Sequence, residues 1–184
     1  NENGNGHAGK LTVTSGTLTN ASGATIRSAG AAGTANVVNA TVSNAGTIDL
    51  LRSLNITDLP SNNGTINFSS ISSALTLTNG AFTNAGTIAP LGGVTGTLSV
   101  GTFTNAASTG LIDLSAGNFT AISSTQTNNG TITLGSALPA LNHPNLTITG
   151  PGASSLTVSG ANLYSPFTVN ASKIVAMSGL TVAN

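Results

Sequence analysis

The stretch Phe82-Thr-Asn-Ala-Gly-Thr-Ile88 decides the fold, because its last five residues return along the chain. The motif Asn-(Ala/Asn)-Gly-Thr-Ile closes at four isoleucines: Ile48, Ile66, Ile88 and Ile132. Looser versions run from Asn20 to Ile26, with two extra residues, and from Asn105 to Ile112, with three. One motif that recurs along a single chain indicates a repeated structural unit.

The closing isoleucines lie 22, 18, 22, 24 and 20 residues apart. A period near 20 that tolerates small insertions is typical of solenoids in which each repeat is one coil. Apolar and polar residues alternate over short stretches, as in Leu98/Val100 and Ile132/Leu134, and Gly, Asn and Pro separate these stretches. Such alternation predicts short β-strands. We therefore expect an all-β fold, a single-stranded right-handed parallel β-helix (β-solenoid) of about eight coils of about 18–24 residues.

Each residue of the motif has a predicted role in such a coil. Ile points inward and stacks on the next Ile about 4.8 Å away, and Thr faces outward. Gly is expected to adopt a backbone conformation closed to other residues, and Asn suits a corner where stacked amides bond to one another. The predicted ladder consists of Ile26, Ile48, Ile66, Ile88, Ile112 and Ile132, and of Asn44, Asn62, Asn84 and Asn128, with Asn20 and Asn105 joining through bulged turns.

The chain divides into a polar leader, residues 1–10, and one continuous solenoid, residues 11–184. Residues 11–137 carry the Asn-Gly-Thr-Ile coils, and residues 138–184 keep a strand–Gly–strand rhythm in longer, less regular coils. Phe82, Phe103 and Phe119 are expected inside the coils, because a ring is costly to leave in water. The alternative for these rings is an exposed aromatic platform for sugars.

The composition excludes some classes of function. Only 4% of the 184 residues are charged, against about 25% in an average soluble protein, and four basic residues balance four acidic ones. No field therefore attracts nucleic acid, and no apolar run approaches the about 20 residues of a membrane span. With 39% hydrophobic residues and no cysteine, we expect a folded chain in an extracellular or cell-surface setting, without disulfides.

The repeated strings TNAGTI and TNNGTI resemble those of bacterial surface proteins with β-helix stalks, namely autotransporter passengers and filamentous-haemagglutinin-like adhesins. The segment from LTITGPGASSLTVSG to SGLTV is similar to pectate-lyase-like β-helix repeats of other exported bacterial proteins. The resemblance covers the chain from about Gly16 onwards. It implies an exported, elongated, surface-associated bacterial protein, and it specifies no activity.

The few charged residues do not form a recognisable active site. Asp49 and Asp113 each follow a ladder isoleucine, but three coils of about 4.8 Å put them about 14 Å apart, too far for glycoside hydrolysis. We expect both as solvated outward carboxylates, with surface ion pairs from Arg27 and Arg52. His7 and His143 have no evident partner. No catalytic residue, metal ligand or cofactor is therefore expected.

Three functions are compatible with this sequence. The first is a non-enzymatic structural or adhesive module that stacks end to end into a filament or belongs to a longer stalk. Its partners are then other copies or adjoining coils, with surface glycans as a further partner. The residues expected at the end-to-end contacts are Leu11, Val13, Leu180 and Val182.

The second function is a carbohydrate-binding or polysaccharide-degrading β-helix protein, which the missing acid pair and scarce aromatic residues disfavour. The third is an ice-binding solenoid, which would use Thr-x-Thr pairs on successive coils. The unequal coil lengths argue against the register that such a face needs. The pairs in question are Thr12/Thr14, Thr17/Thr19, Thr76/Thr78, Thr131/Thr133 and Thr147/Thr149.

Overall fold

The computed structural model describes residues 8–30, 35–71, 73–138, 140–142, 144–150, 152–160 and 162–183. All regular elements in these ranges are strands: β1 (Lys10–Asn20), β2 (Thr25–Ser28), β3 (Asn36–Asn44), β4 (Thr47–Leu50), β5 (Leu54–Asp58), β6 (Ser61–Asn62), β7 (Thr65–Phe68), β8 (Ala74–Leu77), β9 (Ala81–Asn84), β10 (Thr87–Pro90), β11 (Thr95–Ser99), β12 (Thr102–Asn105), β13 (Leu111–Asp113), β14 (Asn118–Ile122), β15 (Thr125–Asn128), β16 (Thr131–Thr133), β17 (Asn145–Thr149), β18 (Thr157–Ser159), β19 (Ile174–Ser178) and β20 (Thr181–Ala183).

The strands stack in parallel, coil upon coil. One sheet has the order β14-β11-β8-β5-β3-β6-β9-β12-β15, with β1 also paired to β3, and a second has the order β2-β4-β7-β10-β13-β16-β18-β20. The first sheet forms two faces of the coil, which are joined because β1 and β3 run through both. The predicted all-β parallel β-solenoid is confirmed.

The predicted coil number agrees with the second sheet. This sheet contains eight strands, one from each coil, and the seven steps between them make about seven turns. At about 4.8 Å per step, this sheet extends about 34 Å along the axis.

The motif isoleucines occupy one column of the second sheet. Ile26 pairs with Ile48, and the column continues through Ile66, Ile88, Ile112 and Ile132. It then extends into the tail through Val158 and Val182, which lack the motif. Ile48, Ile66 and Ile88 are at most 1% exposed. Burying a side chain of this size contributes about 1.5–3 kcal/mol, so each turn adds its own share to the core.

The motif glycine has a different role from the expected one. Positive φ angles occur at other glycines, such as Gly16, Gly23 and Gly92, and not at Gly64 or Gly86. A Cβ on Gly86 would instead collide with the carbonyl oxygen of Gly64 in the preceding coil. The motif needs glycine because successive corners lie too close together for any side chain.

Corners and bulges absorb the unequal coil lengths. In β1 the pairing with β3 shifts register between Thr12 and Thr17, where Gly16 has a φ of 83°. The extra residues of the fifth motif form a loop between Asn105 and Gly110, with Ser108 at a φ of 65°. Insertions of two or three residues therefore leave the strands of neighbouring coils in register.

Four of the five phenylalanines lie inside the coils. Phe68, Phe82 and Phe103 are buried, and Phe119 packs against the core. The rings of Phe82 and Phe103 stack with centroids 5.9 Å apart and an interplanar angle of 13°. Phe82, Phe103 and Phe119 therefore lie inside the coils, as the sequence predicted. The alternative, in which these rings form an exposed platform for sugars, is wrong.

The last third of the chain is more loosely packed. Leu134 is the last buried hydrophobic residue before Pro166 in the described ranges. β18 and β20 extend the second sheet, whereas β17 and β19 pair only with each other. At the other end, β1 begins at Lys10, one residue inside the stretch expected as leader, and residues 1–7 lie outside the described ranges.

Candidate functional site: the asparagine ladder, the outer faces and the end coils

An unbroken chain of side-chain amides runs along the corner between the two sheets. We call it the asparagine ladder. Each amide nitrogen donates to the amide oxygen of the next coil, over 2.6 Å, 2.6 Å, 2.8 Å, 2.8 Å and 2.7 Å. All bonds point in the same direction along the axis. Its members are Asn20, Asn44, Asn62, Asn84, Asn105 and Asn128.

The interior asparagines are almost fully buried, with exposures of 1% for Asn44 and 0% for Asn62, Asn84 and Asn105. Their amides also satisfy the backbone at the corner. Asn84, for example, donates to the carbonyl of Gly86 at 3.0 Å. Buried amides in an aligned chain strengthen one another, and each would be costly to leave unpaired. The asparagine ladder therefore fixes the alignment of the corners of successive coils.

Asp49 is buried, although we expected a solvated carboxylate. It is 8% exposed, accepts a bond from Arg27 Nε at 2.9 Å and accepts another from the Ser69 hydroxyl at 2.6 Å. The predicted ion pair of Arg27 with a neighbouring coil is present, and the Arg27 side chain is 63% exposed. Arg52 instead donates to the carbonyl of Gly30 at 3.1 Å. The Asp49 carboxylate thus ties together three successive coils.

The other acidic residues of the described ranges do not converge with Asp49. Asp113 accepts a hydrogen bond from the backbone of Ser115, and it lies three coils away from Asp49 along the second sheet. Asp58 accepts a bond from the Thr41 hydroxyl at 3.0 Å. His7 and His143 lie outside the described residues. In the ranges that the structure describes, no three His, Cys, Asp or Glu side chains group closely enough to hold a metal ion.

The outer surface beside the asparagine ladder carries an in-register column of hydroxyl groups. The residue before each ladder asparagine is Ser or Thr, and it faces outward: Thr19, Ser43, Ser61, Thr83, Thr104 and Thr127. A parallel column, two residues earlier, carries hydroxyl groups at Thr17, Thr41, Thr102 and Thr125. It is interrupted in the two coils between, where Leu59 is buried and Ala81 has no hydroxyl. We call these two columns together the hydroxyl face.

The register of the hydroxyl face corrects an expectation from the sequence. Unequal coil lengths argued against aligned Thr-x-Thr pairs, yet Thr102 and Thr104 pair with Thr125 and Thr127. Neither pair is among those named from the sequence. The signal that could have found them is the Ser or Thr that precedes every ladder asparagine. Of the named pairs, Thr131 and Thr133 meet Leu111 and Asp113 on the preceding coil, so the doubt about register holds for them.

Comparisons with protein-family models, curated proteins and solved structures give no match. The function of this chain is therefore inferred from its own residues and geometry. No helix in the described ranges has the length and apolar character that a membrane crossing requires.

The end coils expose apolar side chains that the middle coils bury. Leu11 in the first coil is 47% exposed, and Val182 in the last is 48% exposed. Val13 and Leu180, the other two residues expected at end contacts, are half-buried. The middle member of the same column as Val182, Ile66, is 1% exposed.

An open cleft of about 510 Å³ lies at the first coil. Its walls include Leu11, Ile26, Val37, Val38 and Leu54. Among the described strands, β1 pairs only with β3, and β2 pairs only with β4, so each has one edge without a strand partner. An inward-facing apolar lining beside unpaired strand edges has the shape and chemistry to accept a further coil.

Proposed function

We propose that this chain is a non-enzymatic, extracellular structural or adhesive module of an exported bacterial protein. In this proposal its end coils contact further parallel coils, either of another copy or of a longer surface stalk. The resemblance to stalk repeats of autotransporter and filamentous-haemagglutinin-like adhesins favours such a role. The cell-surface location, the filament and the self-association all belong to this proposal.

The observation that supports it best is the contrast between the middle and the ends of the solenoid. The isoleucine column is fully covered in the middle coils, and its last member, Val182, is about half exposed. In the first sheet, Leu11 of the first coil is also about half exposed, while its register partner Val38 is buried. In a solenoid each repeat buries its apolar face only against its neighbours, so a terminal coil gains stability from a further coil. A head-to-tail contact of this kind repeats and produces a filament.

The asparagine ladder adds to the support. At the first coil, Asn20 is 4% exposed, and its amide nitrogen donates to Asn44 and to the carbonyl of Thr47. Its amide oxygen receives no hydrogen bond from a described residue. A coil stacked against β1 would bring a donor to this oxygen, as each later coil receives one from the coil before it.

Electron microscopy and analytical ultracentrifugation of the whole chain test this proposal. We expect rods that lengthen as the protein concentration rises, and we expect Leu11→Asp and Val182→Asp to abolish that lengthening. Ile71→Asp is the matched control, because Ile71 is 84% exposed away from both end coils. A chain that stays monomeric at high concentration, with both ends covered by its own residues, would contradict the proposal.

A further inference from the structure

Beyond the structural role, the outer surface beside the asparagine ladder fits a ligand that is itself a periodic solid. We propose that the hydroxyl face binds ice, the ordered surface of crystalline water. The six-residue column from Thr19 to Thr127 supplies a hydroxyl group in every coil. The second column adds hydroxyl groups at Thr17, Thr41, Thr102 and Thr125, in the first two and the last two of these coils.

The spacing of the face is set by the backbone in two directions. Successive coils lie about 4.8 Å apart, and alternate residues along one strand lie about 6.7 Å apart. Thr102, Thr104, Thr125 and Thr127 occupy the corners of such a cell, since they pair across β12 and β15. A face that repeats in two dimensions suits a crystalline surface, whereas a flexible polymer presents no fixed two-dimensional repeat.

The hydroxyl groups of the column beside the asparagine ladder are available to a ligand, whereas the hydroxyl of Thr41 in the second column donates to Asp58. Within the part of the chain that the structure describes, no hydrogen bond engages the hydroxyl of Ser43, Ser61, Thr83, Thr104 or Thr127. On the neighbouring face of the same sheet, by contrast, hydroxyls are engaged within the protein: Thr57 donates to Asn39 and Thr78 to the carbonyl of Thr57. The methyl group of each threonine adds apolar contact between the hydroxyls.

The hydroxyl face is also held rigid from beneath. Phe82 lies between Ala81 and Thr83 in sequence and faces inward, and its ring stacks on Phe103 below the next coil's threonines. The asparagine ladder adjoins the same strands at their C-terminal ends. A surface that is ordered before binding loses little conformational freedom on binding, which favours adsorption to a solid.

The chemistry of the face favours ice over a crystalline polysaccharide. Recognition of sugar rings commonly uses exposed aromatic side chains, yet Phe68, Phe82 and Phe103 are buried. Asp58 brings a charge beside the face, because it is a register partner of Thr41 and accepts that residue's hydroxyl. The centre of the face, around Thr83 and Thr104, carries only hydroxyl and methyl groups.

The test compares two threonine-to-lysine variants on the hydroxyl face with a third on the second sheet. Thr104→Lys places a long charged side chain in the middle of the hydroxyl face, and Thr127→Lys repeats the change one coil away. Thr87→Lys is the matched control, because Thr87 is also outward and half-buried but lies in the second sheet. Circular dichroism verifies that each variant keeps its β-solenoid. If Thr104→Lys does not fold, Thr127→Lys takes its place in the comparison.

The measurements are thermal hysteresis and incorporation of dye-labelled protein into a growing ice hemisphere. We expect the whole chain and Thr87→Lys to show both effects, and we expect Thr104→Lys and Thr127→Lys to lose them. Absence of both effects in the unaltered chain overturns the proposal, as does full activity of Thr104→Lys. Equal loss in Thr87→Lys, or binding to crystalline cellulose without adsorption to ice, also overturns it.

Discussion

Replacing Asn62 by alanine removes the central amide of the asparagine ladder. Asn62 accepts a hydrogen bond from Asn44 Nδ2 at 2.6 Å and donates one to Asn84 Oδ1 at 2.8 Å. In Asn62→Ala, Asn44 Nδ2 loses its acceptor and Asn84 Oδ1 loses its donor. Both residues are at most 1% exposed, so water does not readily replace the missing partner.

The expected loss follows from these two orphaned groups. A buried donor or acceptor without a partner costs about 1–3 kcal/mol, so the pair costs about 2–6 kcal/mol of unfolding free energy. Domains are typically stable by about 5–15 kcal/mol, so the loss is a large fraction of the total. With a urea m-value of about 2 kcal/mol/M, a loss of about 4 kcal/mol lowers the unfolding midpoint by about 2 M.

The matched control is Asn63→Ala in the same coil. Asn63 is exposed, and its side chain makes no hydrogen bond within the described residues, so the substitution has the same chemistry without the ladder. We expect a change within about 0.5 kcal/mol. Urea unfolding followed by circular dichroism measures both variants. If Asn62→Ala loses no more stability than Asn63→Ala, the ladder does not stabilise the fold as described.

Two further predictions concern the motif glycine and the motif isoleucine. Gly86→Ala should unfold at a clearly lower urea concentration than Gly80→Ala, because its Cβ would strike the Gly64 carbonyl, whereas nothing lies within 4 Å of a Cβ at Gly80. Similar midpoints for the two variants would refute the close-corner explanation. Ile66→Ala should cost about 2–5 kcal/mol of unfolding free energy, while Ile71→Ala, at an exposed position, should cost less than about 0.5 kcal/mol. Equal costs would show that the isoleucine column is not the core.

The regular part of the fold could be predicted from the sequence because isoleucine and asparagine recur at intervals of similar length, and each of them has a physical reason to occupy one place in the coil. An inward isoleucine and a corner asparagine recur at each turn, so counting their spacing gives the unit and its strand type. All six ladder asparagines occupy one column in the structure. Asn20 lies at its beginning, and Asn105 lies between Asn84 and Asn128.

Features that depend on the neighbouring coil could not be predicted in the same way. Gly86 is required by the position of the Gly64 carbonyl, which is 22 residues away in sequence and is close only in the folded coil. Asp49 is buried because Arg27 and Ser69, from the coils on either side, both bond to it. The spacing of residues in the sequence predicts the length of a coil, but it does not predict how deeply a side chain is buried between neighbouring coils.

The register of the hydroxyl face was missed for a related reason. The distances between isoleucines differ by up to six residues, and this variation implied that outward threonines would drift out of line. The structure places the extra residues of the longest interval in the loop after Asn105, outside the paired strands. The tail after Leu138 carries no motif, so nothing in the sequence indicated that β17 and β19 would form a separate pair.

Disulfide cross-linking tests the stacking of successive motifs most directly, because the chain contains no cysteine of its own. Thr65 and Thr87 are register partners on adjacent coils, while Thr83 is nearer to Thr65 in sequence but lies in the other sheet. A disulfide requires Cα atoms about 4.4–6.8 Å apart. We predict that the Thr65→Cys/Thr87→Cys variant oxidises readily and that Thr65→Cys/Thr83→Cys does not. Preferential oxidation of the second pair, or failure of the first in a folded chain, would contradict the arrangement of one motif per turn.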